Sequence, residues 1–211
     1  MNKKLSELIG IIIGDGNICY IPKIRKYYIE ITGNPKNEES YYDYISQLFF
    51  DIIGKSGTIL FRNRGLRIRV YSKEFVEFLI NHIGLCFGTG KFWRVEIPQE
   101  IIQSSKNIVY SCVRGIFDTD GTFFVSKKGL KNYPSIEIVT CSRKLAIQLY
   151  DILRNDFRVN MRHRNCEKYT TGRAYVISVY GFEQTNKWFE IIGSSNSAKF
   201  FKYQNFIKSF K

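Results

Sequence analysis

The chain has 211 residues, room for one domain or two small ones, and 44% of them are apolar, enough to fill a core. Its 32 Lys and Arg stand against 19 Asp and Glu, a net charge of +13 that implies a polyanionic partner, either nucleic acid or anionic lipid. No apolar stretch is long enough to span a bilayer, and five scattered cysteines without a Cys-x-x-Cys pair exclude a disulfide framework and structural zinc, so a soluble intracellular protein is expected.

The first predicted element is an apolar helix, Leu8-Ile9-Gly10-Ile11-Ile12-Ile13-Gly14-Asp15-Gly16. Tyr27 to Thr32 follows, where alternating Ile-Glu-Ile reads as a strand with one buried face. A helix is expected over Glu38 to Ile53, then a basic hairpin from Leu60 to Tyr71 turning near Asn63 to Gly65. A helix from Ser72 to Ile83 stops at Gly84, and Lys91-Phe92-Trp93-Arg94 closes the first half. Pro98 is placed to open a short helix in the joining segment 98–107.

The series then repeats. Val113-Arg114-Gly115-Ile116-Phe117-Asp118-Thr119-Asp120-Gly121 returns the opening helix, and Pro134 to Val139 returns Ile-Glu-Ile. A helix over Arg143 to Leu153, strands over Arg158 to Arg164 and Arg173 to Tyr180, and a helix over Phe182 to Ile192 ending at Gly193 complete the copy. Lys199-Phe200-Phe201-Lys202 matches the first Lys-aromatic segment. The expected organisation is two similar α+β halves, 1–97 and 108–211, packed through their opening helices. His82/Cys86 and His163/Cys166 have ligand-like spacing but no second pair nearby, and read as ordinary residues.

In each opening helix, residues four apart share a face: Gly10 with Gly14, and Gly115 with Thr119. Small residues there let two backbones approach. If the helices pack in parallel, Asp15 and Asp120 meet at their ends, where the last carbonyls lack partners. Two carboxylates so close repel unless a cation lies between them. With main-chain carbonyls they form a hard-oxygen site suited to Mg²⁺, able to serve hydrolysis at a phosphodiester. Nearby lysines could offset charge on the phosphate.

The basic strands carry arginines two apart, on one sheet face: Arg62 with Arg64, Arg67 with Arg69, Arg162 with Arg164. Lys168 and Arg173 extend the second set. A β-ribbon fits the DNA major groove, and each of these side chains has either a base or a phosphate to contact.

These motifs resemble the LAGLIDADG homing endonucleases, in the single-chain form with two motif copies. The resemblance implies an α+β fold of two pseudo-symmetric αββαββα halves, with two saddle-shaped antiparallel sheets over DNA. It implies a monomer that hydrolyses both strands of a long double-stranded DNA target with Mg²⁺ or another divalent cation such as Mn²⁺. Its metal-binding acids would be Asp15 and Asp120, joined by the carbonyls of Gly14 and Thr119. Lys91 and Lys199 match the basic residue near the metals, with Arg94 and Lys202 close by. Departures are Ile13 against Asp118 at the sixth position, Ile9 and Arg114 at the second, and Thr119 for a small residue, which is expected to loosen or tilt that end of the interface. Gly33 and Thr140 stand roughly where the family has a strand-end glutamine. An intron RNA maturase, with intron RNA as partner, or a non-cleaving DNA-binding protein is the alternative. A prokaryotic cytoplasm or an organelle is the expected location.

Overall fold

Two copies of one plan make up the computed structural model, which describes residues 1–34, 38–62, 65–128, 131–166 and 172–209. In the first, α1 (Lys3–Gly14) leads into β1 (Gly16–Ile21) and β2 (Lys26–Gly33). Then come α2 (Glu39–Ile53), β3 (Thr58–Arg62), β4 (Gly65–Val70), α3 (Lys73–Asn81) and the single turn α4 (Lys91–Arg94). After α5 (Gln99–Ile102), the second copy runs α6 (Lys106–Asp120), β5 (Gly121–Lys128), β6 (Lys131–Thr140) and α7 (Arg143–Leu153). It ends with β7 (Val159–Cys166), β8 (Gly172–Tyr180), α8 (Phe182–Ile191) and α9 (Ser197–Lys208). The strands form two four-stranded antiparallel sheets, ordered β1-β2-β4-β3 and β5-β6-β8-β7.

Local chemistry sets the element ends. Asn2, Ser72 and Ser142 cap α1, α3 and α7, each accepting the amide three residues on. Gly84 and Gly193 sit at φ +77° and +74° just past α3 and α8, a conformation that glycine adopts without strain. On β4, Leu66, Ile68 and Val70 are buried while Arg67 and Arg69 take the other face. Helix α6 starts at Lys106, so it takes in the last residues of the segment expected to join the halves.

The halves meet through α1 and α6. A Cβ on Gly10 would stand 2.1 Å from the Cys112 carbonyl oxygen, and one on Gly115 would stand 2.2 Å from that of Glu7. Backbone thus rests on backbone. Gly10 faces Cys112 and Ile116 while Gly14 faces Thr119 and Asp120, so the helices run in the same direction. Thr119 does not need to push that end apart, because its Oγ1 occupies the space a Gly14 side chain would fill, at 2.0 Å from the Cβ position.

Arg114, the unusual second motif residue, crosses the same interface. It pairs with Glu7 of α1, which also accepts hydrogen bonds from Tyr44 (2.9 Å) and Ser195 (2.6 Å). Glu7 is only 2% exposed. A buried charge requires such a complete set of partners. Among the described residues no helix is long and apolar enough to cross a membrane.

Candidate active site at the paired helix ends

Asp15 follows α1 and Asp120 is the last residue of α6, so parallel packing brings both to one end of the molecule. Asp120 Oδ2 lies 3.4 Å from the Cβ position of Gly14, the neighbour of Asp15. Both acids line an open cleft of about 400 Å³, with Gly88, Lys91 and Phe92 on one wall and Val139, Thr140 and Cys141 on the other.

The helix ends have four orphan carbonyls each and carry partial negative charge. Lys91 and Lys199 answer this in the same way. Lys91 Nζ donates to Ile12 O (2.6 Å), Gly14 O (3.4 Å) and Gly16 O. Lys199 Nζ donates to Phe117 O (2.7 Å), Asp118 O (2.8 Å), Thr119 O (3.3 Å) and Gly121 O (2.6 Å). The three carbonyls of the first set correspond in motif position to those of Phe117, Thr119 and Gly121, and the Asp118 carbonyl is an addition in the second half. The lysines therefore neutralise the helix ends first, holding the two carbonyls that the family resemblance gives to a metal. Their charge reaches the carboxylates through space.

The electrostatics are tense. Crowding by protein raises the Asp15 pKa, and Glu38 adds to the rise while Lys199 and Lys91 oppose it. Burial and the Asp15 charge push Asp120 up to about 7. Burial lowers Lys91 to about 8 and lowers Lys199 as well, with the acids opposing. Such a pair of desolvated carboxylates is suited to a cation. The donor set fits Mg²⁺ or Mn²⁺: two hard carboxylates on opposed helices. Among the described residues no third His, Cys, Asp or Glu converges with them, so further donors have to be carbonyls, water and a bound phosphate.

A pH dependence follows. Below about pH 7 a cation must displace the Asp120 proton. Affinity for Mg²⁺ is expected to climb between pH 6 and 8 in calorimetry, and a flat profile would contradict the assignment. The linked stability has the opposite sign. An acid whose folded pKa is raised destabilises the fold as it ionises, a loss completed above pH 7. Asp120→Asn is therefore expected to raise Tm at pH 8 without metal.

Several participants carry no clear mark in the sequence. Glu38, just before α2, accepts from Asn34 N (2.7 Å) and from Asn196 Nδ2 (3.0 Å), and Asn196 also donates to Asp118 O (3.2 Å). It thus ties the first half to the loop that presents Lys199. A Cβ on Gly33 would meet Tyr42 OH at 2.4 Å and Glu38 Oε2 at 2.7 Å, so a side chain at this strand end would have to displace the tips of both. Asp118 is turned away from the cleft: it is buried and accepts from Ser194 Oγ (2.5 Å) and Ser195 N (2.8 Å). Its identity as an acid serves the loop 194–196.

The arginines divide. Arg67 and Arg69 lie on the outer face of the first sheet, paired with Glu30, and Arg162 pairs with Glu137 on the second. Arg164 is exposed on β7. Arg64 and Lys168 lie outside the described residues. Arg62 and Arg173 are placed in β3 and β8 by their backbones alone. The histidines of the ligand-like pairs pack on aromatic rings: His82 on Phe78 and His163 on Tyr175.

Comparison with known proteins returns the same architecture. Residues 107–202 match the family model described as a LAGLIDADG-like domain. The fold is similar to that of I-DmoI in complex with DNA and Ca, at 18% identity and a TM-score of 0.63, covering 90% of this chain and 88% of that one. The homing endonuclease I-WcaI bound to its DNA recognition sequence is similar at 14% identity and a TM-score of 0.63, covering 94% and 85%. The N-terminal LAGLIDADG domain of DUF199/WhiA is similar at 15% identity and a TM-score of 0.54, covering 90% and 82%.

Proposed function

We propose that this chain, with its LAGLIDADG-like domain and a fold shared with homing endonucleases, is a site-specific DNA endonuclease acting as a monomer on both strands of a long duplex. The observation that carries the reading is the meeting of Asp15 and Asp120 at paired helix ends, each end neutralised by its own lysine. A binding protein that has given up cleavage has no use for two desolvated acids in an open cleft.

Asp15 and Asp120 would hold a divalent cation, Mg²⁺ or Mn²⁺, with the carbonyls of Gly14 and Thr119 beside them. When bound, its chemistry is Lewis-acid neutralisation of charge at a scissile phosphate and acidification of water. The residues of this chain supply the rest. The glycine-packed helices fix the separation of the two acids. Lys91 lines the cleft and Lys199 acts on both acids through space, two desolvated cations that would offset added charge on a phosphate. The arginine-bearing sheet faces lie opposite the buried faces that pack on the helices, and the net charge of +13 draws DNA toward them.

The test is cleavage of a plasmid library carrying randomised duplex sites. The reading expects a linear product from one class of site, formed with Mg²⁺ and blocked by EDTA. Binding of a site without cleavage in Mg²⁺ or Mn²⁺ would leave a DNA-binding protein and overturn the endonuclease assignment.

A further inference from the structure

The duplicated strand glutamates, Glu30 and Glu137, have no part in the site above. Glu30 stands on the outer face of the first sheet, directly opposite Arg69 in the β2–β4 register, yet is only 8% exposed. Its carboxylate accepts from Arg69 Nε (2.9 Å), from Arg69 Nη2 and from Arg67 Nη1 (3.4 Å). The Arg69 guanidinium also lies 4.4 Å from the centre of the Tyr28 ring and donates from Nη1 to Tyr71 OH (3.2 Å). Glu137 repeats the theme on the second sheet. Its Oε1 accepts from Arg162 Nη2 (2.8 Å), Tyr180 OH (3.3 Å) and Ser178 Oγ (3.4 Å).

The arginine partners are partly open to water, which keeps the stability contributed by these ion pairs modest. What these contacts do is hold an arginine still. A guanidinium has five N–H donors in a rigid fork. Arg69 commits Nε–H and one hydrogen of each Nη to protein. Among the described residues one hydrogen on each Nη is left, two donors of the kind that O6 and N7 of guanine accept in the major groove. A phosphate contact needs no such fixing, because it carries no base information.

We propose that Arg69 and Arg162 are base-reading arginines of the two sheets, each directed at a guanine, with Glu30 and Glu137 as their positioning residues. The proposal rests on the DNA reading above. The two sheets differ, with Glu30 serving two arginines and Glu137 one. Half-sites of unequal sequence suit that difference.

The test selects a binding site from randomised duplex DNA in EDTA buffer, then measures affinity for every single-base variant. Wild type should prefer G·C at one pair in each half-site by about tenfold. Arg69→Lys and Glu30→Gln should flatten the preference at one and the same pair. Arg162→Lys and Glu137→Gln should do so at a pair in the other half-site. For the glutamate variants, Tm and the slope of affinity against salt should stay at wild-type values, which a merely structural role would not allow. An unchanged base profile in Glu30→Gln overturns the proposal. So does a uniform loss across all sequences in Arg69→Lys with a shallower salt slope, the mark of a phosphate contact. A wild type that selects no site overturns the DNA reading together with this inference, whereas a selected and cleaved site with a flat variant profile overturns this inference alone.

Discussion

Asp15→Asn and Asp120→Asn are each expected to slow cleavage of both strands by about a thousandfold while target affinity in EDTA stays at or above the wild-type level. The two acids share one cleft, and the Asp15 charge raises the cost of ionising Asp120. Removing either charge eliminates half of the carboxylate set and lowers cation affinity for the whole site. It also removes negative charge from a surface that must approach phosphates, so binding in EDTA does not suffer. Strand-resolved cleavage on a supercoiled plasmid, together with a gel-shift titration, separates the two effects. Either variant cutting both strands at the wild-type rate would remove its acid from the site.

The largest structural effect is expected at the helix crossing. Gly115→Ala should cost about 3 kcal/mol or more in urea denaturation, because the added methyl meets main-chain atoms. Its Cβ would lie 2.2 Å from Glu7 O and 2.8 Å from Ile11 N, and backbone of a packed helix cannot step aside alone. Gly10→Ala faces the same obstacle at the Cys112 carbonyl. Gly14→Ala differs in kind, since its obstacle is the Thr119 side chain at 2.0 Å. Thr119→Ala removes the hydroxyl but keeps a Cβ at 2.8 Å, so it should rescue Gly14→Ala in part and leave Gly115→Ala unrescued. A Gly115→Ala protein within 1 kcal/mol of wild type would show that the halves do not meet as described.

The duplicated motif makes the paired-helix geometry legible in the sequence. Small residues four apart, Gly10 with Gly14 and Gly115 with Thr119, suit close helix approach, and the Asp-Gly that ends each copy marks what the helix delivers. Alternation at Leu66 to Val70 likewise gave the buried face of β4 and the outward arginines. The lysines were readable as neighbours of the acids. Their attachment to the helix-end carbonyls was not, because it depends on how the segments holding Lys91 and Lys199 fold back over some 80 residues of chain. Glu38 and Asn196 were hidden for the same reason: each is an ordinary polar residue near a helix start until the halves pack against each other. Asp118 shows the converse. In the sequence it stood out only as an acid that the first copy lacks, and its position on α6 turns it toward Ser194 and Ser195. The arginines read as free groove-binding groups, yet strand pairing sets Glu30 and Glu137 beside them, a cross-strand register that no local pattern gives.

Asp15 and Asp120, delivered by two different halves, are proposed to form one cation site. Mn²⁺ binding to the free protein, followed by electron paramagnetic resonance at pH 8, tests it without reference to cleavage or DNA. The account expects wild type to bind the ion, each single Asn variant to lose most of that affinity, and the double variant to bind no worse than either single, because the two acids act as a unit. Two independent, additive losses, or a single variant that binds Mn²⁺ as wild type does, would contradict it.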